Sequence, residues 1–171
     1  MRDHLDLVGQ LGRGFGNSEF DPLTPRDLME YAVANHDAGW LPIDRELGID
    51  PETDLPPNLL RTPLGELVKT GPGSASFNEA HHPFCGLIVS MHACGLLNGR
   101  YGLSDKIVVD VLPEDAQPMF ARMLETEGDR QERLKAELAA NPITQRMRLS
   151  RPSPSARATR ISVAPSRICA L

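Results

Sequence analysis

Six prolines, Pro42, Pro51, Pro56, Pro57, Pro63 and Pro72, crowd into residues 41–73 of the chain. Proline in a helix interior removes a backbone donor and collides with the preceding turn, and within a sheet it interrupts the ladder. The stretch from Leu41 to Gly73 therefore reads as a long ordered loop, with one short helix near Leu64 to Lys69. Loops of that length inside a compact domain are usually functional or disordered.

Helical periodicity flanks this stretch. His4, Val8, Leu11 and Phe15 recur at helical spacing and predict a first helix that stops near Phe15, where Gly12, Gly14 and Gly16 accumulate. A second helix begins with Thr24 as cap, Pro25 at the first helical position and Asp27 in the first turn. Its stripe of Leu28, Met29, Ala32, Val33 and His36 ends at Gly39. A third runs from about Pro83 to Leu97, with Phe84, Leu87, Ile88, Met91 and Leu96 apolar. A charged amphipathic helix follows between Pro113 and Ala140, its Met119, Met123, Leu134 and Leu138 in broken spacing. "KIVVDVL", residues 106–112, has the composition of a strand, but no partner strand is evident. The expected fold is all-α: a helical bundle with a long proline-rich loop.

After Asn141 the composition breaks. Residues 142–171 hold six arginines and no acid, scattered among Ser, Pro and Ala. Residues 1–141 read as one helical domain and 142–171 as a disordered tail, or as translation past a frameshift in a GC-rich gene. Truncation is the favoured reading. Without the tail, 12 basic side chains face 23 acidic ones, a net −11 that argues against a nucleic-acid partner. No apolar run approaches a membrane span, and "MRDHLDL" lacks the apolar stretch of a signal peptide. Cys85, Cys94 and Cys169 are odd in number and form no CxxC, so a reduced, cytoplasmic chain without a membrane partner is expected. Cys85 and Cys94 read as small core residues of a helix rather than nucleophiles.

Histidines fall on the apolar stripes. His4 precedes Val8 by one turn, His36 follows Ala32 by one turn, and His92 follows Ile88 by one turn. A buried neutral imidazole needs partners for both ring nitrogens. Each could satisfy them singly against backbone; one metal ion would satisfy several together, with Asp37 supplying negative charge. His81 and His82 sit just ahead of Pro83, where polar residues at a helix entry are common.

The order His4, then His36–Asp37, resembles the opening of the HD superfamily of metal-dependent phosphohydrolases, all-helical domains named for that doublet. "DHLDLVGQLGRGFGN", "HDAGWLPID" and "VSMHACGL" also resemble an uncharacterised bacterial family within or near that superfamily. The resemblance spans roughly residues 2–140. It implies that His4, His36 and Asp37 are metal ligands, that His92 is a further ligand or substrate contact, and that Asp44 supports the site. It also implies a late aspartate on a helix beyond Ala140, where this chain has the arginine-rich tail instead. Asp110, Asp115 and Asp129 precede that point and match no family motif.

The expected function is hydrolysis of a small phosphate ester or nucleotide with a divalent ion of Mn, Fe, Zn or Co. Asp37 would orient the attacking water, and His92, His81 or His82 would act as general acid or touch the phosphate. Arg45, Arg61, Lys69 and His82 are the candidates for binding substrate. No phosphate-cradling glycine loop and no nucleophile elbow is present to favour another design. The alternatives are a catalytically inactive metal-binding or interaction module and, on the same scaffold, a di-iron oxygenase.

Overall fold

The computed structural model describes residues 1–46, 49, 53–55, 62–98, 109 and 112–140. Six helices make up the described regular structure: α1 (Arg2–Gly14), α2 (Arg26–Ala34), α3 (Trp40–Glu46), α4 (Leu64–His81), α5 (Pro83–Leu97) and α6 (Gln117–Ala140). No strand occurs among the described residues, and the fold is all-α. No described helix is long and apolar enough to cross a membrane. "KIVVDVL" lies outside the described residues apart from Val109 and Leu112, both packed on the cluster around Phe120. Residues 142–171 and Arg61 lie outside them altogether.

The first helix turns a different face inward from the one its apolar periodicity predicts. Leu5, Gly9 and Gly12 are its buried residues, while Leu11 is 64% exposed and Phe15 48%. The reason is steric. A Cβ on Gly9 would lie 2.9 Å from the Ala34 Cβ, so the helix that lacks side chains at this crossing can come close to α2. Close approach of backbone decides the docking face here, and the larger apolar residues are left outside.

The second helix starts one residue later than expected. Pro25 is its N-cap, and Thr24 donates its hydroxyl to the Pro22 carbonyl at 3.3 Å instead of capping. The helix also ends sooner, at Ala34. His36 and Asp37 therefore stand in consecutive turns between α2 and α3 rather than on a helical stripe, with Ala38 N–H bonded to Asn35 O and Trp40 N–H to Asp37 O.

The proline-rich stretch is far more helical than its composition predicts. α3 begins at Trp40, and α4 runs 18 residues straight through Pro72. An interior proline costs a helix about 3 kcal/mol. Packing outweighs it, since α4 lies along α5 and buries Thr70, Ser74, Ala75 and Asn78. Those residues are small or polar, so the buried face carries no hydrophobic signal.

A sharp corner joins α4 to α5. His82 caps α5, its Nδ1 accepting from Phe84 N–H at 3.0 Å, and Pro83 fills the position where a missing N–H costs nothing. Cys85 and Val89 of α5 pack on Ala32, with Leu28 and Tyr31 alongside. Across the bundle, α6 buries Phe120, Met123, Glu127, Gln131 and Leu134. This is a continuous seam at spacings of three and four residues, in which Glu127 and Gln131 interrupt the apolar pattern.

Candidate metal centre

The turn from α2 to α3 presents His36 and Asp37 to the N-terminal helix. Asn78 of α4 holds that turn from below, donating its amide to Asn35 O at 2.8 Å and to Ser74 O at 2.9 Å. The Gly39 N–H donates to Ser74 Oγ at 2.9 Å. A Cβ at Gly39 would lie 2.1 Å from Thr70 O and 2.6 Å from Ser74 N, so only glycine lets the turn sit directly on α4.

Three ligand-type atoms converge above this turn. His4 Nε2 and His36 Nε2 are 3.4 Å apart, His4 Nε2 and Asp37 Oδ2 3.5 Å, and His36 Nε2 and Asp37 Oδ2 3.4 Å. They form a nearly equilateral triangle. Good N–H···O hydrogen bonds cluster at about 2.7–3.2 Å, and charge-assisted ones are shorter still, so these edges are long for direct bonding. An ion bonded at about 2.0–2.2 Å in tetrahedral geometry keeps its ligand atoms about 3.3–3.6 Å apart. The donor set therefore fits a divalent ion, with two imidazoles and one carboxylate as the ligands.

The orientation of His36 is fixed from behind. Its Nδ1 lies 2.9 Å from Val33 O. A carbonyl can only accept, so Nδ1 carries the proton and Nε2 presents its lone pair to the cluster. His4 reaches the same point from the first turn of α1 and is 47% exposed. The cluster thus has a wet side at His4 and an inner side at His36 and Asp37.

On the inner side opens a cavity of about 550 Å³, lined by His36, Asp37, Trp40 and His92 and, for the rest, mostly by aliphatic and aromatic side chains of α4, α5 and α6. The His92 ring stands edge-on to His36, centroids 5.3 Å apart. Burial pushes the His92 imidazole below its ordinary pKa, the His36 ring adds to this, and Asp37 opposes it. His92 stands beside the triangle and is not one of its three vertices.

The remaining sequence candidates lie elsewhere. Asp44 pairs with the Met1 amino group at 2.7 Å. Lys69 is exposed and bonded to Glu66 at 2.7 Å. Arg45 is exposed in the last turn of α3, His82 caps α5, and His81 stacks on Tyr31 with centroids 3.6 Å apart. None of these lines the cavity. Conversely, Trp40, Thr62, Thr70, Ser74 and Phe120 do line it and were not singled out by pattern. Trp40 stands three residues after Asp37, and that nearness to the doublet is its signal in the sequence. The hydroxyl residues of α4 carried no signal, because nothing in their spacing marks a helix.

An all-helical protein with a His/His/Asp cluster at the mouth of an apolar cavity is the class these observations define. The family model described as "Protein of unknown function (DUF3891)" matches residues 1–151, and the chain belongs to that family. The match extends beyond the compositional break at residue 141. No curated protein and no solved structure matches the chain significantly.

Proposed function

We propose that the protein is a metal-dependent phosphohydrolase of HD-like type, acting on a small phosphate ester with a divalent ion held by His4, His36 and Asp37. The observation that carries the reading is the triangle of 3.4–3.5 Å edges between three ligand atoms, one of them oriented by a backbone carbonyl. The likeness of the order His4, His36–Asp37 to the HD pattern supports it further. Three protein ligands suit a catalytic site, which keeps a coordination position for water, whereas structural sites are closed by four.

A bound divalent ion supplies two effects: it makes a coordinated water acidic and polarises a phosphoryl oxygen. The chain's own groups do the rest. Asp37 offers Oδ2 to the cluster and its second oxygen to orient the water. His92 meets a phosphoryl oxygen from the cavity wall. Water adds across the ester P–O bond: its oxygen joins phosphorus, and a proton leaves with the alcohol.

The test is metal content followed by assay. Protein loaded with Mn, Fe, Zn or Co is expected to hold one ion per chain and to hydrolyse members of a panel of phosphate monoesters and nucleotides. Asp37→Asn should abolish both while leaving the helical circular dichroism intact. Bound ion without hydrolysis of any ester sinks the enzyme reading and leaves the second one, a metal-binding interaction module. One observation favours that second reading: Leu7, Leu11, Phe15 and Phe20, on and just after α1, are all about half or more exposed.

A further inference from the structure

The cavity beside the cluster has a chemistry of its own. No lysine or arginine is among its described lining residues, and most of that lining is apolar. Two of its hydroxyl groups are already engaged: Thr70 donates to Leu67 O at 2.8 Å, and Ser74 Oγ accepts from Gly39 N–H at 2.9 Å. Water in such a space has few partners to bond, and displacing it with apolar atoms is favourable. The volume, about 550 Å³, lies within the roughly 300–1,000 Å³ of small-molecule sites.

The titratable groups of the described lining stand together, with the His36 and His92 ring centroids 5.3 Å apart. His36, Asp37 and His92 form one part of the wall, while Leu67, Leu97, Phe120 and Met123 form much of the rest. Asp37 would repel an anionic head unless a cation sat beside it, so the head group and the ion select each other. We propose that this cavity takes a small amphiphile, a monoester pairing one phosphate head with an alkyl or aryl body. The head sits at His36 and Asp37, and the body lies against Leu67, Leu97, Phe120 and Met123. The head assignment rests on the metal-dependent reading above; the body assignment rests on the cavity alone.

Trp40, the only tryptophan in the chain, lines the cavity, and its fluorescence reports binding. The probes are alkylphosphonates from methyl to octyl, which carry a phosphate-like head and no ester bond to cleave. They are titrated into the full chain with and without Mn²⁺ or Zn²⁺, and metal content is measured in parallel. Each methylene that enters the cavity should tighten binding about fourfold, from about 0.8 kcal/mol per buried CH₂. Leu96 lines the cavity and is 53% exposed, so Leu96→Gln should not disturb folding. It should weaken the octyl probe several-fold and leave the methyl probe unchanged. Equal affinity along the series overturns the proposal, and so does a Leu96→Gln loss that is the same for both ends. A series that tightens with length while no ion binds supports the cavity assignment and removes the metal reading. A bound ion with a flat series does the reverse.

Discussion

Two of the polar clusters among the described residues are set apart by their distances. On the α4–α6 side, Arg130 donates from Nη1 to Glu79 at 2.5 Å, from Nε to Glu127 at 3.1 Å and from Nη2 to Ser76 at 3.0 Å. Arg133 donates to the other Glu79 oxygen at 2.7 Å. Two cations meet two anions at bonding distance, and Glu127 is fully buried in the process. At the α1–α2 side, two imidazoles and a carboxylate meet with every separation at 3.4–3.5 Å. The first cluster is tied by short ion pairs and belongs to the architecture, although the second Glu127 oxygen is buried without a hydrogen-bond partner among the described residues. The second brings two imidazole nitrogens and a carboxylate oxygen around a common centre at separations that could hold a metal ion.

The largest effect that could break this contrast is at Asp37. Asp37→Asn removes the only carboxylate of the triangle and should reduce divalent-ion affinity by more than the roughly 10–100-fold that losing a supporting hydrogen bond brings. Competition with a chelator of known affinity measures it; an unchanged affinity would make the triangle another architectural cluster. Next in size is Arg130→Ala. It strands the Glu127 carboxylate in the interior and should cost about 3–5 kcal/mol in urea unfolding, with metal affinity unaltered.

Acid should act on the architectural cluster with a smaller effect. Burial alone would raise the Glu79 pKa, but the hydrogen bonds and charges of Arg133 and Arg130 outweigh it and hold the carboxyl below its ordinary range. A carboxylate with a depressed folded-state pKa contributes stability above the ordinary carboxylate range and loses it as pH falls through the folded value. That contribution should vanish from the pH profile of Glu79→Gln. His82→Ala should likewise cost about 0.5–2 kcal/mol through loss of the α5 cap and leave ligand affinity unchanged. A change in phosphonate affinity would instead return His82 to the substrate site. The smallest effect is expected at Leu11→Ser, within about 0.5 kcal/mol in thermal unfolding, because the residue faces solvent.

How much of this was legible in the chain differs between the two clusters. The existence of α1, α2 and α5 was legible from their apolar content, but the buried face of α5 was not: Cys85, Gly86, Val89, Ser90, Cys94 and Gly95 face inward, while the expected Met91 and Leu96 are 45% and 53% exposed. The meeting place of the triangle was legible because His36 and Asp37 are adjacent and His4 has a family-like position. The orientation of α1 was not, because the docking face is decided by glycine at the crossing rather than by the larger apolar side chains. α4 was hidden for a related reason. Its buried residues are Thr70, Ser74, Ala75 and Asn78, and its sequence contains a proline, so both propensity and period point away from a helix that packing nonetheless forms. The Glu79–Arg130–Glu127 network was equally hidden. Glu79 lies 51 positions from Arg130, and nothing among the glutamates of α6 marks Glu127 as the buried one.

The contact at Gly39 has an evolutionary consequence. Alanine, the smallest replacement, would place its methyl within 2.1 Å of the Thr70 oxygen, and that neighbour is backbone, not a side chain that can swing aside. In a library of random variants selected only for folding, position 39 should come back as glycine almost every time, while position 11 should accept nearly any residue. Drift across relatives would then preserve the spacing between the His–Asp turn and the floor of the cavity.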